Sequence, residues 1–115
     1  GLCERFAKEG AAKIYVADIE FENAQKVAES VGGKAFRLNV ADEENCQQVI
    51  KDILEESGRI DFIASNAGIG GDEGSLEVTN ESWRNIYEIN VLSHVFLARA
   101  AFPKMLENGS GGFLV

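Results

Sequence analysis

Basic residues are scarce in this chain. Lys and Arg number 11 against 19 Asp and Glu, a formal net charge of -8. A nucleic-acid or anionic-membrane surface needs clustered cations, so neither is an expected partner. Long apolar runs are missing too: no stretch approaches the roughly 20 residues that span a bilayer. The opening residues are charged and helix-patterned, not a basic segment followed by an apolar one, so no signal peptide is read. Cysteine is limited to Cys3 and Cys46. Both fall in predicted helices without metal-ligand spacing, which reads as two free thiols in a reducing compartment. The lone histidine, His94, sits within a long helical pattern and is expected to be packed or at an interface. No metal site is expected.

What is present is an ordinary globular composition, 45% apolar over 115 residues, suited to one small domain or part of one. The chain opens on Gly1 inside a helical pattern and closes on an apolar run ending at Val115, so it reads as a fragment.

Leu2, Phe6 and Ala7 share a helical face that Gly10 stops. Ile14 to Ala17 is a short strand ending at Asp18. Glu20 to Ser30 is the next helix, with Ala24, Val27, Ala28 and Val31 inward, closed by Gly32-Gly33. Lys34 to Val40 is a second strand. Asp42 caps a helix with Glu43 and Glu44 in its first turn. That helix turns Val49, Ile50, Ile53 and Leu54 inward and stops near Gly58. Ile60 to Ala64 is a third strand and Ser65 to Val78 a loop. Thr79 caps a long helix from Glu81 to about Leu106, in which Pro103 is placed to kink the final turns. Phe113 opens a fourth strand. Strict alternation of helix and strand predicts an α/β fold, a parallel sheet with helices on both faces.

Three strand ends carry small or polar groups at one sheet edge, where open α/β sheets bind ligands. Asp18 ends the first strand, where an acid accepts bonds from ribose hydroxyls and repels a 2′-phosphate. Ile19 and Glu20 follow it, with no cation, so NAD is preferred over NADP. Asn39-Val40 ends the second strand, an amide that could bond the adenine amino group beside an apolar residue that could line the base. Ser65-Asn66-Ala67-Gly68 ends the third, where small side chains let a ligand approach the backbone. Asn90 is polar among Ile89, Val91 and Leu92, and a buried Asn must find partners.

Together these residues resemble the short-chain dehydrogenase/reductase family. Ser65-Asn66-Ala67-Gly68 resembles its Asn-Asn-Ala-Gly loop, with Ser65 in place of the first Asn. Asn90-Val91 looks like its helical Asn-Val segment, with Trp83 upstream as usual. Asp18 matches its acidic NAD-selecting position, and Asn39-Val40 resembles its Asp-Val pair with the charge removed. The resemblance covers essentially the whole chain. It implies a partial Rossmann-like, doubly wound sheet whose first strand and glycine-rich turn would precede these residues, Gly1 being the last glycine of that turn. The missing strand would stand between the first and third strands seen here. The catalytic Ser and the Tyr-x-x-x-Lys would follow Val115, since neither Tyr15 nor Tyr87 has a Lys four positions on.

The resemblance further implies an NAD-dependent oxidoreductase interconverting small alcohols and carbonyls. Asp18 and Ile19 would lie at the adenosine ribose, Asn39 and Val40 at adenine, and Asn66, Ala67 and Gly68 at the nicotinamide ribose. Asn90 resembles the family's fourth catalytic member, which holds a water, and the helix around it is expected to be irregular so as to free a carbonyl. A cytoplasmic homodimer or homotetramer through the helix 81–106 is implied, with Val95, Phe96 or Leu97 on its apolar surface. Asp72 and Glu73 in the loop after Gly68 would disfavour anionic substrates. A non-catalytic dinucleotide-binding or regulatory protein on the same fold is the alternative. The piece by itself would be inactive.

Overall fold

The computed structural model describes residues 1–71, 76–109 and 111–114. Asp72 and Glu73 lie outside the described residues. The order of elements is α1 (Leu2–Lys8), β1 (Tyr15–Asp18), α2 (Phe21–Val31), β2 (Lys34–Arg37), α3 (Glu43–Ser57), β3 (Phe62–Ala64), α4 (Asn80–Tyr87), a π-helical segment (Glu88–Leu92), α5 (Ser93–Glu107) and β4 (Gly112–Leu114). The chain divides into two compact units, Gly1–Asn39 and Val40–Val115. Among the described residues both strand pairs are parallel, and helices alternate with strands as an α/β fold requires.

In the first unit β1 pairs with β2 in the register Tyr15↔Lys34 to Asp18↔Arg37. The ladder starts with Lys34 N–H on Ile14 O at 2.9 Å and ends with Leu38 N–H on Asp18 O at 2.9 Å. β2 therefore stops short of the expected Val40, because its partner turns away after Asp18. The crossover helix α2 buries Ala24 and Ala28. Val27, expected inward with them, is 40% exposed. Two alanines side by side bring the helix close, and the larger Val27 sits on the flank of that contact. Gly32 ends α2 at φ 65°, a left-handed turn that glycine adopts without strain.

In the second unit Asp42 caps α3, its carboxylate accepting from Asn45 N–H at 3.1 Å. α3 buries Cys46, Val49, Ile50 and Ile53, and α5 buries Ser93, Leu97, Ala101 and Met105. These two faces pack on each other. Leu97 is 6% exposed, so it belongs to this core and not to the helix surface where the sequence placed it. Its bulk fills the contact with α3, while Val95 stays outward at 41% exposed. β3 and β4 pair in the register Phe62↔Gly112 to Ala64↔Leu114. The long helix expected from Glu81 to Leu106 is one rod interrupted by the π segment, and it runs through Pro103 to Glu107.

Candidate functional site

In the first unit the parallel register puts the carboxyl ends of β1 and β2 at one edge. Asp18, Ile19 and Asn39 all lie there and all are exposed. Asp18 Oδ1 accepts from Glu20 N–H at 2.9 Å. This local side-chain turn fixes the carboxylate at the tip of the strand and starts α2. The register also sets Arg37 opposite Asp18. Chain order showed no cation after Asp18, because Arg37 lies 19 positions further on and only the sheet brings the two together.

In the second unit β3 runs directly into Ser65, which is buried, and then into Asn66, Ala67 and Gly68, which are exposed. Asn90 occupies the middle of the π segment Glu88–Leu92. Its amide makes a double clasp on one loop residue: Oδ1 accepts from Ile69 N–H at 2.8 Å and Nδ2 donates to Ile69 O at 2.8 Å. A buried or half-buried Asn needs such partners, and the loop backbone supplies them. The expected irregularity of this helix is present as the π segment. The wider turn displaces main-chain carbonyls from the ordinary helical ladder, and Ser93 Oγ donates to Ile89 O at 2.6 Å. Gly68 lies so close to this clasp that a Cβ there would come within 3.3 Å of Asn90 Oδ1. The structure thus brings Asn90 together with Gly68 and Ile69, and holds Asn66 and Ala67 beside them.

Two further residues join the loop to the helix. Ser65 Oγ lies 2.6 Å from His94 Nδ1. Sequence reasoning treated these two separately. The signal that could have linked them is spacing: His94 follows Asn90 by one helical turn, as Ile69 follows Ser65 by four residues.

Val40 is half-buried, and its carbonyl accepts the Cys46 thiol at 3.6 Å. Burial first, then the charges of Asp42 and Glu43, push the Cys46 thiol up to about 11, which keeps it protonated and unreactive. A groove of about 340 Å³ between α3 and α5, lined by Gln47, Ile50, Lys51, Leu54, Glu55 and Ala100, contains none of the candidate site residues. Among the described residues no cluster of three or more His, Cys, Asp or Glu could hold a metal ion, and no helix is long and apolar enough to cross a membrane.

In the first unit the exposed Asp18 carboxylate can accept from hydroxyls, and in the second the exposed loop Asn66-Ala67-Gly68 leaves its backbone open to a ligand.

Known proteins resemble this chain along nearly its whole length. The chain is 32% identical over 117 residues to galactitol 2-dehydrogenase of Agrobacterium fabrum, covering 100% of this chain and 45% of that protein. It is 37% identical over 118 residues to cyclopentanol dehydrogenase of a Comamonas species, covering 98% and 46%. Among solved structures, a short-chain dehydrogenase from Streptomyces avermitilis superposes with a TM-score of 0.81 at 28% identity, over 96% of this chain and 42% of that one. The chain thus spans less than half the length of the relatives it matches. The fold is that of their Rossmann-like domains, and the short chain dehydrogenase family matches residues 1–115 throughout. This chain belongs to the short-chain dehydrogenase family of oxidoreductases.

Proposed function

We propose that these residues are the cofactor-holding part of a longer NAD-dependent oxidoreductase that interconverts small alcohols and carbonyls. The observation that carries the reading is the double clasp of Asn90 on Ile69 behind Gly68, set in a π-helical turn. Such a turn forgoes regular helical bonding and persists where it serves a site. The names of the relatives, a galactitol and a cyclopentanol dehydrogenase, agree with a small alcohol as substrate.

When bound, NAD supplies the hydride acceptor. The chain's own residues bind and orient. Asp18 accepts from the hydroxyls of the adenosine ribose, beside Ile19. Asn39 and Val40 meet adenine, the amide oxygen of Asn39 standing where an acid would otherwise accept. Asn66, Ala67 and Gly68 border the nicotinamide ribose. With its side chain committed to Ile69, Asn90 offers its main-chain carbonyl to a water that relays protons. Asp18 favours NAD by repelling a 2′-phosphate. Arg37, opposite it at the tip of β2, pulls the other way, and the NAD/NADP ratio below measures the balance. Exposed Trp83, Tyr87, Val91 and Val95 form an apolar stripe along α4, the π segment and α5, the surface through which the intact protein would form a dimer or tetramer.

The test uses the intact protein with NAD or NADP and a panel of secondary alcohols, following nicotinamide reduction by absorbance. NAD is expected to give at least tenfold higher kcat/KM than NADP, and Asp18→Asn to narrow that ratio. Binding of NAD without turnover of any alcohol or ketone would favour a regulatory protein. Failure to bind either dinucleotide would overturn the reading.

A further inference from the structure

We propose that His94 is a positioning residue for the loop Asn66-Ala67-Gly68, acting through the buried hydroxyl of Ser65. The inference rests on reading that loop as the cofactor loop.

Ser65 is 4% exposed, and its hydroxyl meets His94 Nδ1 at 2.6 Å. A hydroxyl can donate to a bare ring nitrogen or accept from a protonated one, so the pair is satisfied with either tautomer. At the other end of the loop, Asn90 grips Ile69 through both amide atoms. The two anchors lie on the same helical rod and in reversed order, so the loop runs antiparallel to the helix. Ser65 to Ile69 can span up to roughly 13 Å of extended chain. Asn90 to His94 rises only about 6 Å along a helix. Pinning both loop ends to that shorter base keeps the three residues between them in a bowed, non-extended arch, with Gly68 against Asn90 and all three exposed. One anchor alone would leave the arch free to swing about the other.

Ser65 is shorter than the Asn of the Asn-Asn-Ala-Gly pattern it resembles. His94 Nδ1 comes to the serine hydroxyl instead, at 2.6 Å.

The experiment compares the intact wild-type protein with Ser65→Ala, His94→Leu and His94→Asn. The Asn amide retains a hydrogen-bonding group near the place of Nδ1. Two quantities are read: amide order parameters of Asn66, Ala67 and Gly68 by NMR without dinucleotide, and the dissociation constant for NAD by calorimetry. Ser65→Ala and His94→Leu are expected to lower the three order parameters below roughly 0.6, the flexible range, and to weaken NAD about tenfold. Combining them should cost no more than either alone, and His94→Asn should stay within about twofold of wild type. Unchanged order parameters in Ser65→Ala and His94→Leu would overturn the proposal, as would lowered order with unchanged NAD affinity. If His94→Leu does not fold, Ser65→Ala and His94→Asn decide it by the same criteria. If the wild-type protein binds no NAD, the cofactor reading fails, and the order parameters alone judge the anchoring.

Discussion

At Asn90 one side chain makes two hydrogen bonds to one backbone residue. Truncating it removes both, while Ile69 stays exposed and can turn to water. Asn90→Ala in the intact protein should therefore lose about 1–2 kcal/mol of stability, the low end for two such bonds. Urea unfolding checks this, and an unchanged midpoint would count against the clasp. Cys46 makes a prediction in pH. Folded, its thiol holds its proton up to about 11, against an ordinary value of 9.0. Between these values the unfolded chain binds fewer protons than the folded one, so stability falls as pH rises through that window, by on the order of 2 kcal/mol. Below it the thiol is neutral in both states and contributes no pH dependence. Unfolding free energies from about pH 8 to about pH 11 should slope less in Cys46→Ala than in wild type, and equal slopes would refute the assignment. At this scale the sequence picked out Asn90 as a misfit among apolar neighbours, but not its partner. Ile69 contributes only its backbone, which no residue pattern can reveal.

Among the elements, the α2–β2 turn is the most constrained. Gly33 N–H reaches Ala28 O at 2.8 Å while Lys34 N–H opens the ladder on Ile14 O. A Cβ on Gly33 would stand 2.5 Å from that same carbonyl oxygen, a backbone atom that cannot move without giving up the bond. Gly33→Ala should cost about 1–3 kcal/mol. Gly32→Ala meets no atom within 4 Å and suffers only its left-handed φ, about 1 kcal/mol. Thermal melts of the two variants should rank in that order; the reverse would mean strain outweighs contact here. The Gly32-Gly33 pair was legible as a helix stop, and so were the Asp42 and Thr79 caps, because capping is local chemistry. The lengths of β2 and β3 were not legible. A strand ends where its partner ends, and partners are distant in sequence.

Over the whole molecule, β1–β2 and β3–β4 are separate two-stranded sheets among the described residues. Such pairs are marginal by themselves, since each leaves edge groups unpaired. Phe21, Val27 and Phe62, next to or within these strand pairs, are 43%, 40% and 41% exposed, so they add little burial to offset that cost. A polypeptide of these 115 residues is expected to lack a cooperative melt and to bind NAD weakly or not at all. A sharp calorimetric transition together with micromolar NAD binding would contradict that.

Order of elements, helix caps, the family and the identity of Asp18, Asn66 and Asn90 as candidates were fixed by the sequence alone, because periodicity, capping and motif spacing are read along the chain. The placement of Arg37 beside Asp18, the burial of Leu97, the clasp on Ile69 and the Ser65–His94 contact were decided only by tertiary structure. Each joins residues between 19 and 29 positions apart or turns on packing between elements, and no local propensity encodes either.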